Sequence, residues 1–206
     1  IRMRMSGPEV VEKVYTYNQG TVLGASLEIA LALRDDVGLA HDEPIDSFEY
    51  SERADASMFY ITHIRAIVQS VALNLATPQG VLLSPPEESG EGDGGLFKGI
   101  LARYLAEVAE RLPEDSKENI ATKKIAARLV MQSAESLWSH RLEVDGLPVF
   151  AAEWTQDARL PHNYGLGPSS ISEAVGLVRI DERDLSVQLS GWMLLEAAAR
   201  VAAAQG

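Results

Sequence analysis

Asn18-Gln19-Gly20-Thr21-Val22-Leu23-Gly24-Ala25-Ser26-Leu27-Glu28-Ile29-Ala30-Leu31-Ala32-Leu33 is the stretch on which the fold turns. Val22, Leu23, Ser26, Leu27, Ile29, Ala30 and Leu33 fall along one broad face at helical spacing. Arg34-Asp35-Asp36 and Gly38 mark its end. A second helix starts at the cap-like Ser51 or Asp55 and runs to about Leu75, where Thr77-Pro78-Gln79-Gly80 stops it. Its stripe is Met58, Ile61, Ile64, Ile67, Val68, Val71 and Leu75. A third covers Leu96 to Leu112 and ends before Pro113. A fourth is capped by Ser116 or Asn119 and continues to Ser139, with Ile125, Leu129, Gln132 and Leu137 at helical spacing. The fifth, Leu185 to Ala204, is rich in Ala and Leu, both strong helix formers.

The segments between these helices are long. Leu39–Tyr50, Val81–Gly95 and Leu142–Ile180 all exceed ordinary helix connections. The run Ser84–Gly95, with its prolines, glycines and acids, reads as neither helix nor strand. Val81–Leu83, Leu147–Ala151 and Val175–Ile180 are short strand-like pieces. There is no internal repeat and no linker, so residues 1–206 read as part of one domain. Antiparallel helices joined by elaborate loops suggest an all-α fold of the α/α-toroid kind. Five helices are fewer than half of a closed twelve-helix barrel, and such an array is expected to leave apolar helix faces uncovered.

Composition narrows the partners. Hydrophobic residues make up 46% and charged residues 23% of 206 residues, as in an ordinary globular chain. The net charge of −12 argues against nucleic acid and against anionic surfaces. A neutral polysaccharide or oligosaccharide is compatible with it. With no cysteine, disulfides, thiolate zinc sites and a Cys nucleophile are excluded. His41, His63, His140 and His162 show no metal spacing, so neither a metal nor an organic cofactor is expected. The most apolar windows, Ile64–Leu75 and Leu185–Ala204, carry Arg65, Gln69, Gln188, Glu196 and Arg200, which argues against membrane insertion. Ile1-Arg2-Met3-Arg4-Met5 resembles neither a translation start nor a signal peptide, and the reading expects a preceding N-terminal part.

Two blocks carry a family resemblance: Tyr15-Thr16-Tyr17-Asn18-Gln19-Gly20 where the first helix begins, and Phe97-Lys98-Gly99-Ile100-Leu101-Ala102-Arg103-Tyr104-Leu105 where the third begins. In this order, two helices apart, they resemble glycoside hydrolase family 76, the bacterial and fungal endo-α-1,6-mannanases. Weaker agreement runs through Gln132–Trp138, Trp154 and the last helix. The resemblance implies an (α/α)6 barrel, present here as an incomplete C-terminal part, and a glycosidase that cleaves α-1,6-linked mannan with retention. It also implies a catalytic pair of adjacent aspartates upstream of the Tyr-Asn-Gln-Gly block. That leaves no catalytic residue in this chain and makes the N-terminal half of the same domain its partner. Asp35-Asp36 is rejected as that pair, because it lies downstream of the block. Glu87, Glu88 and Glu91 read as solvated loop charge, whereas Asp93 falls where the family often carries an acid before Phe-Lys-Gly.

Sugar recognition needs planar polar groups for hydroxyls and aromatic faces for the C–H side of the ring. Tyr17, Asn18 and Gln19 offer both at a helix start, where backbone N–H groups lack intrahelical partners. The alternative is that Asn18 caps the helix and the tyrosines pack. Phe97 is a candidate sugar platform, and Lys98 a donor to a hydroxyl or a partner for a catalytic carboxylate. The plainer reading is a core Phe beside a solvent-facing Lys. The expected substrate-binding set is therefore Tyr17, Asn18, Gln19, Asp93, Phe97 and Lys98. Trp138 and Trp154 are further aromatic platforms, and Trp192 reads as core. Two other functions fit the same features: a different α/α-barrel sugar enzyme such as an epimerase, and a helical glycan-binding or scaffold module without chemistry.

Overall fold

The computed structural model describes residues 2–4, 7–9, 14–38, 47–85, 88, 92–159 and 184–205. Among them are five helices: α1 (Thr16–Gly38), α2 (Ser47–Asn74), α3 (Phe97–Arg111), α4 (Lys117–Ser139) and α5 (Leu185–Gln205). Two small antiparallel hairpins accompany them. One pairs β1 (Arg2–Arg4) with β2 (Gly7–Glu9), and the other pairs β3 (Leu142–Val144) with β4 (Leu147–Val149). Asp145 at φ 52° and Gly146 at φ 77° turn the second hairpin, the conformation a two-residue hairpin loop requires.

Every helix foreseen from periodicity is present, and the differences are at the ends. α1 continues through Asp35 and Asp36 to Gly38, so that pair is helical backbone and not a loop beyond the helix. α2 begins at Ser47, several residues before the expected caps. The Gly-rich run expected to lack structure closes in a 3-10 turn, Gly92–Leu96, that leads straight into α3. Of the strand-like pieces, Leu82 makes one bridge to Ala76 and Leu147–Val149 is a strand. Val175–Ile180 lies outside the described residues, as do His41, His162 and most of the Ala158–Asp184 segment. Ser116 is the cap of α4, its hydroxyl accepting from Asn119 N–H at 3.1 Å; Asn119 is inside the helix.

Close pairs fix the helix directions. Tyr17 meets Phe97, Gly20 meets Leu101, Gly24 meets Tyr104 and Glu28 meets Arg111, so α1 and α3 run parallel. Gly95 meets Ser186, Gly99 meets Ser190 and Glu110 meets Arg200, so α5 runs parallel to α3. α4 runs back against α3, with Lys123 bonded to Glu110 O near one end and Ser136 bonded to Trp154 O near the other. α2 runs with α4, because Arg65 reaches Ser116 and Asn119 while Leu82 N–H bonds Ser133 Oγ at 2.9 Å. The result is a row of parallel helices (α1, α3, α5) backed by a row of opposite sense (α2, α4).

Between the rows lies one apolar core, including Leu23 and Leu27 of α1, Ile61 and Ile64 of α2, Leu101 and Leu105 of α3, Leu137 of α4 and Leu194 of α5. Glycines set the spacing of the parallel row. A Cβ on Gly20 would stand 2.9 Å from Leu101 Cα, and one on Gly99 would stand 2.7 Å from Ser190 Cα. As expected for such an array, apolar side chains remain exposed. Val22 and Ile29 on α1 and Leu189 and Trp192 on α5 are among them. Trp192 is 54% exposed, so it is not the core residue its place on the last helix suggested.

Candidate functional site

Because α1, α3 and α5 are parallel, their N-termini gather at one end of the array. First-turn backbone N–H groups and the positive ends of three helix dipoles therefore share one face, with Thr16 N–H taken by Glu88, Gly99 N–H by Ser190 Oγ and Ser186 N–H by Asp184. Two of the sequences singled out above meet there. The rings of Tyr17 and Phe97 lie 4.5 Å apart and tilted by 48°. Tyr15 closes the group, 5.9 Å from Tyr17 and edge-on to Phe97 at 6.0 Å. These separations are those of favourable aromatic pairs. All three rings are half-buried, so each packs on one side and remains accessible on another.

Around this mouth, Gln19 is half-buried and Asn18 and Asp93 are exposed, with Asp93 on the 3-10 turn that feeds Phe97. The Asn18 carbonyl accepts from Thr21 Oγ1 at 3.1 Å. Lys98 behaves differently. It is 2% exposed, so it is not the solvent-facing lysine of the plainer reading. Its ammonium donates to Ala152 O at 2.8 Å, lies 3.4 Å from Glu153 Oε2 and sits 4.7 Å from the centroid of the Trp154 ring. Burial drives its pKa below the usual lysine value, against the opposing pull of Glu153 and Glu88.

Glu88 is the residue that composition misjudged. It is 3% exposed, buried beneath the mouth, not solvated on its loop. One carboxylate oxygen accepts from Thr16 N–H and the other from Thr16 Oγ1 at 3.0 Å. Desolvation raises its pKa, while the two bonds from Thr16 and the Lys98 charge pull it down and Glu153 raises it further. No local signal marks Glu88 for burial within a run of acids, prolines and glycines. Glu153 was likewise unmarked in sequence.

The other aromatic platforms divide. Trp154 is 1% exposed and packs under Lys98, so its ring offers no face to a ligand. Trp138 is 44% exposed, with the Arg141 guanidinium 4.1 Å from its ring centroid. Glu88 and Glu153 do not form a working carboxylate pair, because both oxygens of Glu88 are engaged by Thr16 in a sealed position.

Five helices in two rows of opposite sense among the described residues are the architecture of part of an α/α barrel. The resemblance to glycoside hydrolase family 76 stands on structure as well as on short motifs. The structure of the GH76A α-1,6-mannanase from Salegentibacter sp. HEL1_6 is similar to this chain at 26% identity with a TM-score of 0.58. That match covers 96% of this chain and 44% of the mannanase, so the chain spans less than half of that enzyme's length. Two inactive variants of the same mannanase, in which two aspartates are replaced by alanine or by asparagine, were solved with α-1,6-mannotetrose and α-1,6-mannotriose. Each is similar at 25% identity and a TM-score of 0.58, with the same coverage. By sequence, no family model and no curated protein matches this chain. Among the described residues, no helix is long and apolar enough to cross a membrane.

Proposed function

We propose that this chain forms a substrate-binding wall of a retaining glycosidase acting on α-1,6-linked mannan or a related mannose-containing glycan. The observation that carries the reading is the 4.5 Å pairing of Tyr17 with Phe97. It joins two motifs that lie far apart in sequence at the end of the array where helix N-termini collect. In this reading Tyr17 and Phe97 receive the C–H faces of a mannose ring. Asn18, Gln19 and Asp93 bond its hydroxyls, and Lys98 acts from below by holding the floor in place.

Cleavage would follow a double displacement. One aspartate attacks the anomeric carbon while the other gives its proton to the leaving oxygen, then takes one from the incoming water. Both aspartates are assigned to sequence outside this chain, because the family resemblance places the adjacent pair upstream of the Tyr17-Asn18-Gln19-Gly20 block. The domain containing residues 1–206 then needs its remaining part for turnover.

The test is calorimetry with α-1,6-mannotriose on the full-length protein, combined with detection of new reducing ends from α-1,6-mannan. Tyr17→Ala and Phe97→Ala should each weaken binding about tenfold, or ~1.4 kcal/mol. Mannotriose binding that ignores both substitutions defeats the assignment. Binding without release of reducing ends favours a glycan-binding module instead.

A further inference from the structure

The aromatic mouth is built on alternation. Tyr15 and Tyr17 are half-buried, while Thr16 between them is fully buried. Phe97 is half-buried, and its neighbour Lys98 is buried. Each ring at the mouth is thus adjacent in the chain to a polar group pointing inward, and both inward groups belong to the surroundings of one carboxylate. Glu88 bonds Thr16 through both oxygens, and it feels the charge of the buried Lys98 ammonium, which is itself paired with Glu153 at 3.4 Å.

We propose that Glu88 is a positioning residue: a buried strut that holds the Tyr15–Tyr17 turn against Phe97, and so sets the geometry of the sugar platform. Its value as a ligand-binding element rests on the mannan reading above; its role in holding the rings does not. Thr16 is the first residue of α1, so its N–H has no partner within the helix, and Glu88 reaches it from 72 residues away. A side chain that bonds both the N–H and the hydroxyl of one residue fixes that residue's backbone and its rotamer together. The two tyrosines flanking it then have little freedom to turn away from Phe97. The anchor at Lys98 fixes the opposite wall through Ala152 O and Glu153.

The hydrogen-bond pattern gives the proposal a distinctive signature. The Thr16 hydroxyl can donate or accept. A glutamine at position 88 can therefore accept the Thr16 N–H with its carbonyl and donate from its amide to Thr16 Oγ1. The strut is retained without the charge. An alanine retains nothing.

Glu88→Gln, Glu88→Ala, Thr16→Ala and the Glu88→Ala/Thr16→Ala double variant, each in the full-length protein, separate these outcomes. The first readout is the NMR contact between the Tyr17 and Phe97 rings, which needs no ligand. The second is affinity for α-1,6-mannotriose. Glu88→Gln should keep the ring contact and bind within about twofold of the parent, whereas Glu88→Ala should lose the contact and bind about tenfold more weakly. Thr16→Ala should weaken binding by about threefold, and the double variant should be no weaker than Glu88→Ala alone. An intact ring contact in Glu88→Ala overturns the proposal. If that variant does not fold, an intact contact with unchanged affinity in Glu88→Leu, which fills the site but accepts neither bond from Thr16, overturns it equally. A parent protein that ignores mannotriose sinks the substrate reading, while the ring contact still decides the strut.

Discussion

Lys98 Nζ lies 2.8 Å from the carbonyl oxygen of Ala152 and 4.7 Å from the centre of the Trp154 indole, beneath the mouth that its neighbour Phe97 helps to form. The loop after the β3–β4 hairpin is therefore fastened to the first turn of α3 by one buried cation. Lys98→Met preserves most of the side-chain volume and removes the donor. The Ala152 carbonyl and the Glu153 carboxylate lose their partner, a loss of about 2 kcal/mol. Urea unfolding with an unchanged slope should show it; a stability within about 0.5 kcal/mol of the parent contradicts the account of this fastening.

A comparison of two glycines tests the packing of the parallel row. Alanine at Gly99 brings its Cβ to 2.7 Å from Ser190 Cα and 2.9 Å from Ser190 O, both backbone atoms that give way only if α5 moves. Overpacking of this kind costs about 1–3 kcal/mol, which outweighs the helix propensity alanine would add. Alanine at Gly146 meets nothing within 4 Å, and its cost comes from φ alone, at +77°. That is about 1 kcal/mol. Thermal melting should rank Gly99→Ala below Gly146→Ala, and the reverse order would mean that α3 and α5 are less tightly seated than described.

At the other end of the array, Ser116 does two things with one oxygen: it accepts Asn119 N–H at 3.1 Å and Arg65 Nη2 at 2.9 Å. Ser116→Ala removes the cap of α4 and one bond between α4 and α2. The expected cost is about 1 kcal/mol, and for a chain of this size the melting temperature should fall by about 3 °C. Ser116→Asp, which keeps an acceptor at the cap, should recover most of it.

The pH response follows from Glu88. Burial sets its folded pKa above the ordinary 4.5, so the native state takes up this proton more readily than the unfolded chain does. Its contribution to stability is thus full below 4.5 and declines as pH rises through the folded value. Glu88→Gln cannot ionise. The stability of the parent relative to this variant should therefore fall between pH 4.5 and about pH 7, read as urea midpoints at both pH values. A difference that grows with pH would mean that the bonds from Thr16 and the Lys98 charge outweigh desolvation.

Much of the fold was legible in the sequence because it rests on local periodicity. The existence of α1 to α5, the stop at Pro113 and the cap at Ser116 are written within a few residues of where they act, although Val22, Ile29 and Met58 of the expected stripes are exposed. Tyr17 and Phe97 were each legible as candidates at a helix start, and the structure brings their rings to 4.5 Å. What local patterns could not reveal depends on burial by distant chain. Glu88 sits among prolines, glycines and other acids, a composition that reads as solvated loop, and only its bonds to Thr16, 72 residues away, reveal its burial. Trp154 and Trp192 exchanged their expected settings for the same reason: whether a ring is covered is decided by neighbours such as Lys98 that are remote in sequence. The extra turns of α1 and α2 and the 3-10 turn at Gly92–Leu96 were missed because charged and glycine-rich ends resemble loops until packing holds them.

The glycines of the parallel row have one more effect. Gly20, Gly95 and Gly99 lie at or just before the helix starts, each against a neighbouring backbone, whereas farther along the same helices are bridged by long arms, Glu28 to Arg111 and Glu110 to Arg200. Main-chain contact therefore sets the spacing beside the aromatic rings, and charge pairing takes over that role toward the far ends of the same helices.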